Sequence, residues 1–289
     1  MNFEWFESYV KRTIDDGGGK RRQALRYLLD HPNDVAMLSM RKLATRAKVS
    51  PATMLKIATE SNFQTFAEFK AIFQEHVLGT HDFFSVGAKS MLDQRDPLSL
   101  SNLVLKIAKT DLENIEETLN QEGYQRIEMA VDKILAAERV FIVGMRACFS
   151  VAHYLHYSMS LVKENVELID TAAGRLGDRV IKMKSPDVLI AIGFYPYVNS
   201  TLNVVKYAQR VGTRVIAITD NTSSPMIDRE DDALIFSSKS PWVIGSITSA
   251  IVLSQALVAN IVLRDGEKAL KKISALEKEL DAFDIFFNP

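Results

Sequence analysis

Ser50, Pro51, Ala52, Thr53 and Lys56 are the first residues of this 289-residue chain whose types and spacing point to chemistry. Serine accepts a hydrogen bond from a free backbone N–H as a helix N-cap, and proline suits the first helical position. A helix that opens there carries Ala52, Thr53 and Lys56 near its N-terminal end. Small Ala and Thr let a backbone come close and touch thymine methyl groups, and Lys56 reaches a guanine edge or a phosphate. The helix end itself favours a phosphate oxygen. Arg46, Lys48 and the Lys20-Arg21-Arg22 cluster would hold a nucleic-acid backbone and fix register without reading sequence.

Charge supports this reading over that of a purely structural cap. Between Lys20 and Glu60 the chain has nine Lys and Arg against three acids, a net charge of +6. The whole chain carries −1, so the remainder is acidic, at −7. A small basic region on an acidic protein is the electrostatic footprint of a nucleic-acid-binding module.

A second group of residues lies further along. Gly144, Arg146 and Cys148 follow one apolar run, and Tyr197, Ser200 and Thr201 follow another. Thr219, Ser223 and Ser224 follow a third, and Ser237, Ser238, Lys239 and Ser240 a fourth. Hydroxyls at strand ends and helix N-termini can donate to an anionic or polyhydroxyl ligand. Arg146 can pair with a carboxylate or phosphate through two parallel bonds. Any one of these Ser or Thr residues fits an ordinary cap; four such loops on one edge indicate a small-ligand pocket.

The elements that must position these residues differ between the two groups. Residues 1–77 repeat apolar positions at three and four, the helical period. Ala24, Leu25, Leu28 and Leu29 form one stripe, which His31-Pro32-Asn33 ends because the residue before proline leaves the helical region. Ser39 fits an N-cap, Leu43, Ala44 and Ala47 an inner face, and a new helix is expected from Pro51 to about Glu60. Two short helices joined by a tight turn are the helix-turn-helix pattern, whose second helix enters the major groove. Met54, Ile57 and Ala58 would face inward.

From His81 to Asp96 the pattern weakens, and Leu98–Asn120 reads as a helix. Runs at 139–143, 166–169, 188–192, 214–218 and 233–236 are short, apolar and rich in β-branched residues, with helices such as 148–162 and 201–211 between them. Continuous apolar strands alternating with helices predict a parallel sheet covered on both faces. Ligands sit at the carboxyl ends of such strands.

Other classes fit poorly. Apolar residues at 47% and charged residues at 25% are ordinary globular values,. The single Cys148 cannot form an internal disulfide, and the N-terminus lacks a basic, apolar export segment. A cytoplasmic protein is expected. Trp242–Leu263 carries no charge, but its Gly, Ser, Thr, Gln and Asn content suits a helix buried between the sheet and a dimer partner better than a membrane span. Ala269–Phe283 reads as an amphipathic closing helix. His153 and His156 lack the companions a metal site needs, so no metal or cofactor is expected. Cys148 beside Arg146 could have a lowered pKa, but no Cys–His nucleophile arrangement surrounds it, so a reactive thiol is not expected. An aldose–ketose isomerase would need a base at a strand end, and Glu164, Glu167 and His153 are not so placed.

Leu43-Ala44-Thr45-Arg46-Ala47-Lys48-Val49-Ser50-Pro51-Ala52-Thr53, followed by Phe63, Phe66, Glu68 and Phe69, resembles the N-terminal domain of RpiR-type transcriptional regulators over residues 1 to about 77. Two positions depart from that pattern: Lys56 stands for the usual arginine, and Asn62 for a glycine. Lys keeps the charge without the bidentate fork. Asn tolerates the left-handed conformation.

Residues 126–264 resemble the sugar-isomerase (SIS) domain of the same family, chiefly through Ile216-Ala217-Ile218-Thr219-Asp220, Ser224-Pro225 and the Tyr195-Pro196-Tyr197 loop. The resemblance implies phosphosugar binding through Ser and Thr of the first two loops. Here Arg146 stands where a second glycine is common, Cys148 where a serine aligns, and Tyr-Pro-Tyr precedes Ser200 and Thr201. The expectation is therefore an all-α helix-turn-helix domain at 1–77, a helical linker at 78–125, an α/β SIS domain at 126–264 (a five-stranded parallel sheet in a flavodoxin-like α-β-α sandwich), and a C-terminal helix at 265–289. Such a regulator is no enzyme. Its partners would be operator DNA, a phosphosugar or related carbohydrate derivative, and a second copy in a dimer or tetramer, with no membrane. A carboxylated metabolite paired with Arg146 is the alternative effector.

Overall fold

Capping and hydrophobic spacing set each helix of the first unit. The computed structural model describes residues 2–14, 18–78, 99–171, 176–222, 224–229 and 232–287, with isolated positions 84, 85, 88, 91, 92 and 174. Two compact units result, Met1–Ser85 and Val86–Pro289. The first holds α1 (Phe3–Thr13), α2 (Gly19–Asp30), α3 (Pro32–Met37), α4 (Met40–Arg46), α5 (Pro51–Glu60) and α6 (Phe66–Leu78). Its core gathers Phe6, Leu25, Leu28, Leu43, Met54, Ile57, Phe69 and Phe73, all fully buried. Phe6 meets Phe69 and Phe73 edge to face, with ring centroids 5.1 and 5.2 Å apart, the arrangement the ring quadrupoles favour. The sequence reads His31-Pro32 only as an end. In the structure Pro32 also opens α3, since a fixed φ and a missing N–H suit a first helical residue,.

The second unit runs α7 (Ser99–Thr118), α8 (Gln121–Ala136), β1 (Val140–Gly144), α9 (Cys148–Val162), β2 (Val166–Ile169), α10 (Leu176–Val180), β3 (Val188–Gly193), α11 (Asn199–Arg210), β4 (Arg214–Thr219), β5 (Ala233–Ile235), α12 (Thr248–Asp265) and α13 (Glu267–Ala282). All the strands pair in parallel, in the order β2-β1-β3-β4-β5. Alternate residues point to opposite faces. Val140, Ile142, Ile190 and Ile216 join α8, α9, α12 and α13 in one core. Phe141, Val143, Leu189 and Ala217 join α11 and Met226 in the other. The five-stranded three-layer sandwich expected from the sequence is thus the fold of this unit.

Of the uncharged stretch 242–263, the first six residues are loop and the helix starts at Thr248. Ala250, Leu253, Leu257 and Ile261 bury against the sheet. No helix among the described residues is long and apolar enough to cross a membrane. Helix α7, a linker by its sequence position, belongs to the second unit and grips the chain after β5. Asn114 is fully buried; its Nδ2 donates to the Lys239 carbonyl at 2.7 Å and its Oδ1 accepts from the Ser237 hydroxyl at 2.8 Å. Asp111 accepts from Ser246 and Thr248 at the start of α12.

Candidate functional site

Two sites emerge, one in each unit. In the first, α4 and α5 are joined by a turn whose geometry is fixed at three points. Lys48 adopts a left-handed backbone with φ 53°. Its N–H reaches the Thr45 carbonyl and that of Val49 the Ala44 carbonyl, a Schellman closure of α4,. Ser50 then caps α5, accepting from the Thr53 N–H at 3.1 Å, and its hydroxyl lies 2.9 Å from that of Thr53. The far end of α5 closes the same way: Asn62 has φ 61° and Phe63 donates to Ala58, the left-handed role expected of Asn62.

Met54, Ile57 and Ala58 are buried, whereas Pro51, Ala52, Lys56 and Thr59 are exposed and Thr53 is half-buried. Lys56 forms a long ion pair with Glu60, at 3.8 Å, with three-quarters of its side chain in solvent. Lys48 is exposed. Arg46 is differently placed: it holds both oxygens of Asp34 at 3.0 and 3.1 Å, and Tyr27 donates to the same carboxylate. In the Lys20-Arg21-Arg22 cluster, Lys20 donates to the Lys48 carbonyl at 3.1 Å and so steadies the turn. Arg21 ties the Thr13 carbonyl and Tyr9 to Glu60. Thus Arg46, Lys20 and Arg21 build the unit. An open groove of about 330 Å³, lined by Lys20, Arg21, Ser50, Thr53, Lys56 and Glu60, runs along one flank of α5.

The second site lies at the carboxyl edge of the sheet. Strand order reverses direction between β1 and β3, and such a switch point opens a crevice beyond the strand ends,. Register levels Gly144 with Ile192 and Gly193 with Thr219, so the loops after β1, β3 and β4 leave side by side. Gly144 lets α9 descend: a Cβ there would stand 2.6 Å from the Cys148 carbonyl oxygen. Arg146 follows, exposed and left-handed at φ 55°.

Asp220 ties the neighbouring loops together. It accepts from the Tyr195 N–H at 3.1 Å, the Tyr197 hydroxyl at 2.6 Å, the Thr219 hydroxyl at 3.3 Å and Asn221 Nδ2 at 3.1 Å. Burial and the adjacent Asp220 charge push the Tyr197 phenol well above its ordinary range. Ser224 is buried, with its hydroxyl turned to the Met226 N–H at 3.4 Å. Ser200 is half-buried in the first turn of α11. Thr201, one residue on, is 2% exposed, and its hydroxyl finds no hydrogen-bond partner among the described residues. A buried hydroxyl without a partner is energetically unfavourable, so this helix end carries an unmet hydrogen-bonding group. Ser223 lies outside the described residues.

The thiol of Cys148 is not activated, in line with the absence of a Cys–His arrangement in the sequence. Burial pushes the thiol up to about 12, the Asp220 charge adds to this, and only a backbone hydrogen bond with Phe194 opposes it. Arg146 does not lower it, because Cys148 turns inward and is 6% exposed while Arg146 points to solvent. Asp220 and Asn221 were missed as members of the site, although Asp220 ends the Ile-Ala-Ile-Thr-Asp run at a strand terminus. No group of three or more His, Cys, Asp or Glu with metal-binding geometry occurs among the described residues.

Comparison with known proteins agrees with both halves. Residues 133–264 match the SIS domain family. The chain is 25% identical to an uncharacterized HTH-type transcriptional regulator, YfhH, of Escherichia coli strain K12, covering 88% of this chain and 92% of that protein. It is 22% identical to an uncharacterized HTH-type transcriptional regulator of Thermotoga maritima, covering 84% of this chain and 85% of that one. Among solved structures, the sugar isomerase domain of an RpiR transcription factor from Sphaerobacter thermophilus is 25% identical. It superposes with a TM-score of 0.57, covering 61% of this chain and 98% of that one. Vibrio vulnificus NanR, solved with ManNAc-6P, shares the fold at 15% identity and a TM-score of 0.55, covering 98% of this chain and all of that one. Residues 133–264 therefore form a SIS domain, and the chain is similar along most of its length to HTH-type transcriptional regulators and, in its second unit, to an RpiR transcription factor.

Proposed function

We propose that this regulator reads an operator through α5 and adjusts its grip when a small polar metabolite enters the crevice at the carboxyl edge of its SIS sheet. The observation that carries the effector half is Thr201: a buried hydroxyl without a partner among the described residues, in the first turn of a twelve-residue helix that starts beyond a strand end. Helix N-termini attract anions, which favours a phosphorylated sugar or related carbohydrate derivative. Ser200, Tyr197, Thr219 and Ser224 would contact its oxygens. Gly144 would act by letting α9 start close to the strand end, and Cys148 would supply an apolar wall. Arg146, exposed beside the crevice, would pair with a phosphate or with the carboxylate of a non-phosphorylated acid. On the DNA side, Ser50, Pro51, Ala52, Thr53 and Lys56 would enter the groove while Lys48 holds a phosphate. Arg46 would act through its pair with Asp34, by fixing α4 against α3.

The domain limits implied are 1–77, 78–125, 126–264 and 265–289, and the protein would act in the cytoplasm as a homodimer or tetramer. An exposed apolar stripe on α7 (Val104, Leu105, Ala108 and Leu112) supports self-association,. Catalysis is disfavoured because the carboxylates considered as proton-moving bases, among the described residues, are occupied or placed elsewhere. Asp220 is occupied by four donors, and Glu164 and Glu167 belong to the entry and body of β2, away from the carboxyl edge. The test is a melting-temperature screen of the full chain against sugar phosphates and small carboxylic acids, since a ligand selective for the native state raises the midpoint. The stabilising compound must then change operator affinity. A compound that is turned over would replace the regulator reading with an enzyme.

A further inference from the structure

The exposed face of α5 is poor in groups that could donate to or accept from a base edge. Ala52, Leu55, Lys56 and Thr59 share that face, at spacings of three and four. Three hydroxyls on or next to the helix are already committed within the protein. Ser50 caps the Thr53 N–H, Thr53 meets the Ser50 oxygen at 2.9 Å, and Thr59 donates to the Leu55 carbonyl at 3.0 Å. Glu60 is held by Arg21. Lys56 remains, a point charge without the paired geometry that picks out one base. Leu55, meanwhile, is 44% exposed on a helix whose other large apolar side chains, Met54 and Ile57, are buried.

In the major groove the one apolar feature among the four base pairs is the C5-methyl of thymine. The exposed bases Arg41, Lys42, Lys48 and Lys56 around the helix make a duplex the electrostatically matched occupant of this face. From this placement we infer that Leu55 is a specificity-determining residue. Together with Ala52 it reads thymine methyl groups, so the operator half-site is defined more by the positions of thymines than by hydrogen-bonded purines. The inference rests on the reading of α5 as the groove-entering helix.

The test uses the full-length protein and the best-binding duplex it selects from a random-sequence pool. Each thymine of a half-site is replaced singly by deoxyuridine, which removes the methyl and leaves every hydrogen-bonding group in place. For wild type, one or two positions should lose about fourfold in affinity each, the contribution of one methyl group leaving water. Leu55→Ala, at an exposed helical position, should keep the wild-type melting temperature, bind the thymine duplex more weakly, and lose the response to deoxyuridine at one of those positions. Leu55→Met, with an apolar side chain of similar reach, should retain the response. If wild type is indifferent to deoxyuridine throughout, or if Leu55→Ala responds as wild type does at every position, the inference is wrong while operator binding stands. A pool that yields no preferred sequence removes the DNA reading, and this inference with it.

Discussion

Tyr197 donates its phenolic hydrogen to Asp220 at 2.6 Å and thereby fastens the loop after β3 to the loop after β4. The bond joins neighbouring loops on one side of the switch point between β1 and β3 and so braces one wall of the crevice. A hydrogen bond to a charged group is worth about 1.5–3 kcal/mol. Tyr197→Phe should therefore lower the stability of the second unit by about 1–2 kcal/mol, since Asp220 keeps three other donors. It should also weaken binding of whatever compound stabilises the wild type. Calorimetric unfolding with and without that compound checks both; an unchanged ligand titration would remove Tyr197 from the crevice.

Thr201 gives the opposite signature in the ligand-free protein. Its hydroxyl is buried without a partner, so Thr201→Val replaces a desolvated polar group by a methyl of similar size. The ligand-free variant should be as stable as wild type or more stable by up to about 1 kcal/mol, yet lose most of the ligand-induced rise in melting temperature. A destabilised variant with normal ligand binding would contradict the assignment.

Arg46 and Lys56, both basic residues of the helix-turn-helix, should behave differently when shortened. Arg46→Ala removes the charged donor that holds both oxygens of Asp34, whose side chain is 11% exposed, and leaves Tyr27 as a neutral donor; it should cost about 1–3 kcal/mol of stability in the first unit. Lys56→Ala breaks only an exposed contact with Glu60 and should leave the melting point within about 0.5 kcal/mol of wild type, while operator affinity falls about tenfold. If Lys56 grips a phosphate, the slope of log affinity against log salt should also drop by about one. Equal losses of stability in both variants would overturn the distinction.

Cys148 should be inert. Its thiol titrates at about 12 in the folded chain, up from an ordinary 9.0. Between those values the unfolded chain releases its proton first, so this group takes stability away as pH rises above about 9 and contributes nothing to pH dependence near 7. Alkylation by iodoacetamide at pH 8 should be slow in the native protein and fast after denaturation. Rapid native labelling would show an accessible thiolate.

Much of this architecture is legible in residue order because the signals are local. Ser50-Pro51 announces α5 through capping alone, and the five short β-branched runs announce a buried parallel sheet through their alternation with helices. Lys48 and Asn62 illustrate a subtler case: only Asn62 is a type that visits the left-handed region readily, so only that one is readable in advance. What escapes is long-range pairing. That Arg46 is spent on Asp34, twelve residues away, depends on α3, which the sequence hides behind a proline that ends one helix and starts the next. The grip of Asn114 on Lys239 and Ser237 spans more than 120 residues and leaves no trace in spacing or composition. Leu55 escapes for the converse reason, since a leucine at helical spacing reads as core until its exposure is known.

Asn114 supplies a further prediction. Both ends of its buried amide are used, so Asn114→Ala should leave the Ser237 hydroxyl and the Lys239 carbonyl without their partner and cost about 1–3 kcal/mol. Because α7 lies next in sequence to the DNA-binding unit, the variant should also reduce the change in operator affinity that the effector produces, with operator binding itself retained. Effector-dependent anisotropy titrations of a labelled operator check this; a full effector response would exclude α7 from the coupling.

Operator preference is the most direct test of the account. The purified full-length protein is titrated against its pool-selected duplex and a scrambled duplex of equal length at one fixed salt concentration, with and without the stabilising metabolite. The account predicts a preference of about a thousandfold or more for the selected duplex, shifted at least fivefold by the metabolite and reduced in Lys56→Ala. Equal affinity for both duplexes under every condition would contradict it.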